Sequence, residues 1–258
     1  MNRRIAPLVL ALLAFVPACG SVPVEDAEIR LDFLKASMDG NVALGSSGGT
    51  AGTNVDINDD LGLGNATSAP LLAAAVPTAW GRVGASAFWF NDTTNGTLSS
   101  GAYGDLAAGS QVRSEFSFTN VKAWWTFDAY RSESVRISPG FALDVFDVDL
   151  DVSAAGPAQR FENLDLLAPV PMPFLDGEAR FGDFFVAGQG GAMRIDLGDG
   201  LGTYWDLEGR IGYLVDDKVE FHTGYRAVGI DANGNADDRQ AAVDLIVHGW
   251  FVGGSFRF

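Results

Sequence analysis

The sequence has one cysteine, three lysines and no apolar run long enough to cross a membrane as a helix. A lone Cys19 excludes an intramolecular disulfide and any metal site built from several cysteines. A transmembrane helix needs about 18 or more consecutive apolar residues, so any membrane-spanning part of this chain must consist of strands. The 33 acidic and 17 basic residues give a net charge of −16, which repels nucleic acid. Phosphate loops, zinc motifs and the G-x-S-x-G nucleophile elbow are absent from the sequence, so no metal or cofactor is predicted.

The first residues have the layout of an export signal. Arg3 and Arg4 precede the apolar stretch 5–16, and small residues follow it. We therefore predict that a signal peptide at 1–18 is removed. The stretch around Cys19 resembles the lipobox of bacterial lipoproteins, which implies acylation of Cys19 at the start of a mature domain spanning 19–258. Ordinary cleavage near Gly20, with Cys19 discarded, is the alternative.

With 32 glycines and 18 phenylalanines, the remaining sequence is typical of a sheet protein with many turns. Alternating segments predict strands near 26–38, 68–79, 82–91, 112–128, 133–147, 163–181, 184–195, 203–215, 218–230 and 241–258. Tight turns at 80–81, 130–133, 182–183 and 216–217 alternate with long connections at 39–67, 92–111, 148–162, 196–202 and 231–240. This pattern predicts an all-β fold, a closed antiparallel up-and-down transmembrane barrel of about ten strands. Eight or twelve strands remain open.

Alternation within the strands supports a barrel in lipid. In the eighth predicted strand, Trp205 and Leu207 fall on one face, while Asp206 and Glu208 fall on the other. The first and ninth predicted strands follow the same rule. A membrane barrel shows lipid an apolar face and turns polar groups into its lumen. Outer-membrane lipids are therefore expected partners.

The last predicted strand ends in alternating apolar residues, with Phe256 and Phe258 on the same face as Trp250. It resembles the C-terminal signal that outer-membrane barrels present to their assembly machinery. The resemblance implies that this machinery is a partner and that it recognises the strand ending at Phe258. The expected location is the bacterial outer membrane.

Charged residues recur on the inward face of the predicted strands. An isolated buried charge is costly, so mixed signs at neighbouring heights imply paired networks. The inward charged set comprises Glu28, Arg30, Asp32, Lys122, Arg136, Asp144, Asp176, Glu178, Arg180, Asp206, Glu208, Arg210, Glu220, His222, Arg226 and Arg257. This network either plugs a narrow lumen or lines a polar conduit for small solutes. A histidine beside carboxylates can act as a general base, but we predict a structural His222 and no catalytic residue.

Three prolines, Pro169, Pro171 and Pro173, stand at alternate positions of the predicted strand 163–181. Residues of one parity bond to the same neighbouring strand, so these prolines remove three donors from one seam. This resembles the lipid A palmitoyltransferase, a small barrel that admits acyl chains sideways where prolines interrupt strand pairing. The resemblance implies lateral access for a lipid tail or another hydrophobic molecule. An irregular wall above the membrane is the alternative.

Three short segments carry a wider resemblance: residues 56–63, residues 168–173, and Gly224-Tyr225-Arg226. Together they resemble the small outer-membrane barrels of the OmpW-like and OmpA-like group, which implies no shared catalytic residues. Our leading hypothesis is a non-enzymatic barrel that stabilises the outer membrane or lets small or hydrophobic solutes pass. A lipid-modifying barrel enzyme, or a receptor or adhesin acting through the connections 39–67 and 92–111, remain alternatives.

Overall fold

The computed structural model describes residues 27–49, 51–154, 160–196, 201–216, 218–236 and 239–258. The predicted signal peptide at 1–18 and Cys19 lie outside these residues. Within them, no helix is long and apolar enough to cross a membrane.

The described residues form one antiparallel sheet that closes on itself. Its strands are β1 (Glu28–Leu44), β2 (Val55–Asp56), β3 (Thr67–Thr78), β4 (Gly81–Thr97), β5 (Gln111–Phe127), β6 (Tyr130–Arg131), β7 (Val135–Ala154), β8 (Phe161–Phe181), β9 (Phe184–Asp196), β10 (Leu201–Leu214), β11 (Val219–Ala236) and β12 (Arg239–Arg257). The two-residue strands β2 and β6 pair with β1 and β7, and the ten long strands form the wall. Because β12 pairs with β1 along its whole length, the predicted ten-stranded up-and-down barrel is confirmed.

Both ends of the described chain lie at the same end of the barrel, which we call the terminal end. There the amide of Phe258 donates to the carbonyl of Ala27 at 3.0 Å. The turns that link β3 to β4, β8 to β9 and β10 to β11 lie at this end, and in the second of them Gly182 has a φ of +63° that favours glycine. The opposite end, with the connections after β1, β4 and β7, is the loop end.

The strands extend further toward the loop end than the sequence suggested. The predicted long connections 196–202 and 231–240 are wrong, because β9 and β10 are separated by four residues and β11 and β12 by two. Likewise, β1, β4 and β7 continue into the predicted connections 39–67, 92–111 and 148–162. The reason is that the wall of the barrel continues past its apolar outer surface, where the expected pattern of apolar-out strands no longer holds.

The direction of the alternation reverses partway along the strands. In β1, the outward Ile29 and Phe33 are apolar and exposed, whereas the inward Arg30 is charged and buried. Beyond Phe33 the inward Met38 is fully buried, and the outward Asp39 is charged and exposed. The inward residues of β7 and β11 change from charged to apolar in the same direction. The barrel therefore has a charged interior near the terminal end and an apolar interior near the loop end.

An apolar belt surrounds the half with the charged interior. Every long strand contributes at least one large apolar side chain that is more than a third exposed, such as Ile29, Leu72, Val83, Trp125, Phe141, Leu175, Phe184, Leu207, Phe221 and Trp250. Soluble monomers do not leave apolar patches of this extent in water. The belt is the lipid-facing surface of a membrane barrel.

Candidate functional site

Paired charges fill the lumen at the terminal end. Eight basic and eight acidic side chains of the described residues lie there: Arg30, Arg82, Lys122, Arg136, Arg180, Arg210, Arg226 and Arg257 with Glu28, Asp32, Asp144, Asp176, Glu178, Asp206, Glu208 and Glu220. Their formal charges cancel. The charge of −16 on the chain therefore resides outside this interior.

Arg30 connects strands on different sides of this interior. Its two Nη atoms donate to the two carboxylate oxygens of Glu208 at 2.6 and 3.0 Å, and its Nε lies 2.9 Å from Asp32. Asp32 Oδ1 is in turn 2.7 Å from His222 Nε2. All four side chains are at most 5% exposed. The geometry joins β1, β10 and β11 through one buried chain of charges.

His222 is buried between a carboxylate and two aromatic rings. In the sequence this histidine lies on the strand after the one that carries Asp206 and Glu208, but the carboxylate that it contacts is Asp32 on β1. The imidazole stands edge-on between the rings of Phe185 and Phe251. Among the described residues, no hydroxyl is hydrogen-bonded to the ring, whose Nδ1 has no partner.

Asp206 is the centre of a second cluster. It accepts a hydrogen bond from Lys122 Nζ at 2.8 Å and two from Arg226, at 3.1 and 2.7 Å. Both cations also lie over aromatic rings, Lys122 over Phe174 and Arg226 over Phe88. Two cations around one carboxylate satisfy it where water is excluded.

A neutral amide connects this cluster to Asp144. Asn120 accepts from Arg226 at 2.8 Å and donates to Asp144 at 2.9 Å and to the hydroxyl of Tyr204 at 3.1 Å. Neither Asn120 nor Tyr204 was among the predicted residues. The alternation of the strands predicts that both point inward, because Asn120 lies two positions before Lys122 and Tyr204 lies two positions before Asp206. Uncharged polar residues give a weaker signal than charges do.

At the terminal end, a ring of arginines and glutamates closes the charged region. Glu28 lies 3.0 Å from Arg82 and 3.4 Å from Arg210, and Glu220 lies 2.8 Å from Arg257. The sequence did not predict Arg82 as an inward residue, because it directly follows a turn, where an arginine is usually exposed to solvent.

The opposite side of the same mouth is built by β7 and β8. Arg136 contacts Asp176, and its Nη2 lies 3.9 Å from Glu178. Arg180 donates to Glu178 at 2.6 Å. The structure thus places every residue of the sequence-derived charged set inside the barrel, although Arg180 is at the mouth with its side chain 39% exposed.

The lumen at the loop end is an apolar core. Three ring pairs pack in it, Phe88–Phe118, Phe90–Phe116 and the stacked Phe146–Tyr204, with centroids 5.8, 5.7 and 5.2 Å apart. The first two pairs join the neighbouring strands β4 and β5, and the third crosses the lumen from β7 to β10. The connections 45–66 and 98–110 fold over this core and bury Ile57, Leu61, Leu98 and Tyr103 completely. We call these two connections the cap. Apolar packing of this kind excludes water from the axis of the barrel.

Asp60 holds the two halves of the cap together. Its carboxylate accepts from the amide of Ser99 at 2.7 Å, from the amide of Ser100 at 3.0 Å and from both serine hydroxyls. The amide of Asp56 completes the set at 2.9 Å. Burial raises the pKa of the Asp60 carboxyl, but the hydrogen bonds from Ser100 and Ser99 outweigh it and hold the pKa well below its ordinary value. In the described residues, no cluster of three or more histidine, cysteine or acidic side chains is arranged to hold a metal.

Glu162 ties the cap to the wall of the barrel. Its two oxygens accept from Arg239 at 2.6 Å and from the amide of Asp105 at 2.7 Å. Hydrogen bonds from the hydroxyl and amide of Ser47 lower the pKa of Asp105. Next to the Glu162 carboxylate, burial raises the pKa of the Tyr103 hydroxyl. The cap is therefore fixed to β8 by a hydrogen bond to the ion-paired Glu162 as well as by apolar contacts.

The strand β8 has a complete ladder on one side and an incomplete ladder on the other. It pairs with β7 at 19 positions, but with β9 at only eight, ending at Phe174–Gly191. The next residue of β8 is Pro173, followed toward the loop end by Pro171 and Pro169, all three on the outward face. A proline has no N–H to donate. The ladder thus stops where the donors toward β9 disappear, and we call this unpaired region the β8–β9 seam.

Apolar side chains lie directly behind the seam. Val170 and Met172 point inward and are 1% and 2% exposed. On the other side, Met193 has the inward parity of its partner Tyr204, yet it is 37% exposed. Exposed Ala192 shows that the outer face is uncovered as well. The edge of β9 is therefore open on both faces.

A second incomplete ladder, between β3 and β4, is covered by the cap. There β4 is paired with β3 only as far as Phe88. Beyond it, the amide of Gly64 donates to Asp92 at 3.2 Å, and a Cβ on Gly96 would lie 2.1 Å from the carbonyl oxygen of Asp60. In the described part of the chain, no such segment is hydrogen-bonded to the free edge of β9.

The fold is similar to that of known barrels, although the sequence is not. No family model and no curated relative matches the sequence. The outer-membrane protease OmpT from Escherichia coli is similar with a TM-score of 0.60 and 8% identity, over 93% of this chain and 99% of that chain. The transport unit of the autotransporter AIDA-I from Escherichia coli (TM-score 0.44, 8% identity, 99% and 97% covered) and the Pseudomonas putida toluene transporter TodX (0.35, 10%, 96% and 92%) are more distant. At 8% identity, the similarity to OmpT establishes the fold alone.

The closed sheet, the apolar belt and this structural similarity define a bacterial outer-membrane β-barrel. The protein is located in the bacterial outer membrane, as the sequence indicated. The longer loops of such barrels face the outside, and the long connections 45–66 and 98–110 lie at the loop end, which assigns the terminal end to the periplasmic side.

Proposed function

We propose that this barrel is a non-enzymatic protein that admits apolar molecules from the membrane through the β8–β9 seam while its axis stays closed. The observation that carries the proposal is the end of the β8–β9 ladder at Phe174–Gly191, directly before Pro173.

The closed axis argues against an aqueous channel. A conduit for small polar solutes needs a continuous wet path, whereas the interior here passes from neutralised ion pairs to an apolar core under the cap. Water does not enter apolar spaces of this kind without polar partners. Exchange with the interior is therefore expected sideways, through the wall.

The chemistry of the seam suits an apolar ligand. The prolines leave the β9 edge without donors opposite it, and the side chains behind the gap are Val170, Met172 and Phe174. Methionine is unbranched and repacks easily, which fits a site that accepts variable apolar shapes. An acyl chain or a small hydrocarbon would be bound by its apolar area alone.

The test is labelling of a buried position behind the seam. With Cys19→Ser as background, Met172→Cys places the only thiol there, and a membrane-soluble maleimide reports its accessibility in vesicles. We expect Met172→Cys to be labelled much faster than Leu34→Cys, since Leu34 is equally buried but lies on fully paired β1.

Restoring the donors should close the seam. Replacing Pro169, Pro171 and Pro173 together by valine should suppress labelling of Met172→Cys to the rate of the Leu34 control. Pro139→Val is the matched variant, because Pro139 stands in the complete β7–β8 ladder. Equal labelling of Met172→Cys with and without the three prolines would refute lateral access.

We also propose the processing, membrane contacts and assembly that the sequence indicates. These are removal of the signal peptide at 1–18, acylation of Cys19, contact of the belt with outer-membrane lipids, and recognition of the strand ending at Phe258 by the barrel assembly machinery. The exposed, outward Phe256 and Phe258 support the last of these, since they are available at the terminal end.

A further inference from the structure

The periplasmic mouth of the barrel contains a cavity that the lateral route does not use. It has a volume of about 200 Å³ and lies between the turn 131–136, the end of β8 and the last residues of β12. Its charged lining is Arg82, Arg131, Arg136, Arg180 and Arg257 with Glu133 and Glu178. Five of the 17 basic residues of an acidic chain thus line one small space.

Three arginines of this lining have more N–H donors than their ion pairs use. Arg180 donates its Nε–H to Glu178, and Arg257 donates one Nη to Glu220. Arg82 donates one Nη to Glu28. A guanidinium has five N–H donors in a planar fork, so each of the three retains donors for another acceptor. The lining has five arginines and two glutamates, so the cavity itself has an excess of positive charge.

We propose that this cavity is a binding site for a phosphate group, either free in the periplasm or on a lipid headgroup. Guanidinium forks match phosphate oxygens two at a time, and a phosphate accepts from several arginines at once. At about 30 Å³ for each water, the cavity has the volume of six or seven waters, which accommodates one phosphate group. The turn 131–136 forms one wall, and it is fixed because the amide of Arg180 donates to the carbonyl of Ser134 at 2.7 Å.

The test measures phosphate binding to the whole barrel in two arms. Inorganic phosphate is titrated into the barrel in nonionic detergent, and short-chain phosphatidic acid is titrated in the second arm. Saturable binding in the first arm identifies free phosphate, and binding only in the second identifies a headgroup. Either result supports the site, whereas no saturable binding in both arms overturns it.

Three variants assign the binding to this cavity. Arg131→Gln with Arg180→Gln should weaken binding roughly tenfold or more, since charge-assisted hydrogen bonds are lost. Glu178→Gln should tighten it, because a lining carboxylate that repels phosphate is removed. Arg113→Gln is the control, an exposed arginine at the loop end whose ion pair among the described residues is with Glu115. Weakening by Arg113→Gln equal to that of the double variant would overturn the assignment, as would unchanged binding in both the double variant and Glu178→Gln.

Discussion

Arg30 on β1 and Glu208 on β10 form a two-bond ion pair across the inside of the barrel, at 2.6 and 3.0 Å. The two strands are not neighbours, since β11 and β12 stand between them in the wall. The pair joins residues 178 positions apart in the sequence. It therefore stabilises the closed barrel through the lumen, independently of the backbone ladders.

Glu208→Ala should destabilise the folded barrel by roughly 3–5 kcal/mol, because it leaves the buried Arg30 cation without its main partner. Denaturant unfolding followed by tryptophan fluorescence measures this loss. Arg113→Ala removes an exposed ion pair with Glu115 and should cost about 1 kcal/mol or less. Equal losses in the two variants would mean that Arg30 and Glu208 contribute no more than a surface pair.

Asp60→Asn should loosen the cap, since an amide cannot accept the full set of hydrogen bonds from Ser99 and Ser100. Each buried donor left unpaired costs about 1–3 kcal/mol. Hydrogen exchange at the amides of Ser99 and Ser100 should become faster. The exposed neighbour Asp59, replaced by Ala, should leave exchange at both amides unchanged, and faster exchange in that control would contradict this role of Asp60.

The same carboxylate predicts how the cap responds to acid. Because the pKa of folded Asp60 lies below its ordinary value of 3.8, ionised Asp60 stabilises the cap at any pH above that value. The contribution is lost only as the pH falls through the lower, folded pKa. Exchange at Ser99 and Ser100 should therefore stay slow down to about pH 4 in the native protein. Fast exchange already near pH 5 would be inconsistent with this pKa direction.

Deletion of Phe258 should impair assembly into the outer membrane while leaving the purified chain able to refold into detergent. The reason is that Phe258 is exposed at the terminal end, where it contributes little to the core. Phe181→Ala is the matched control, an equally outward aromatic at the same end. The amount of folded barrel in membrane fractions measures the effect, and equal amounts for both variants would argue against recognition of the last strand.

The sequence was sufficient for the barrel and for most of its charged interior. Alternation gives the parity of every strand, so charged residues such as Arg30 and Glu208 could be placed inside. What alternation does not give is the partner of a charge across the lumen. The contact of His222 with Asp32 depends on the tilt and stagger of the strands, which no single segment contains.

The reversal of the alternation is present in the sequence, although the predicted strand bounds do not take it into account. Within β1, the inward series changes from Asp32 to Leu34 and Met38, while the outward series changes from Phe33 to Lys35. The lipid-facing pattern ends near Phe33, so a strand defined by that pattern alone ends before β1 does. A strand that leaves the membrane takes the pattern of a soluble barrel, with apolar residues inside.

The position of the seam could be derived from the prolines, because they share one parity. Its extent could not, since the open edge of β9 also depends on where β8 leaves the wall. Met193 shows this: its parity predicts burial, yet it is 37% exposed.

The most direct test of a barrel closed along its axis is single-channel conductance of the refolded protein in a planar bilayer. We expect no discrete conductance steps in the native protein, in Glu208→Ala or in Arg210→Ala. The reason is that the axis is closed by the apolar core under the cap, and not by the charged network. Discrete steps in the native protein, altered by either substitution, would establish an open polar lumen and contradict the account.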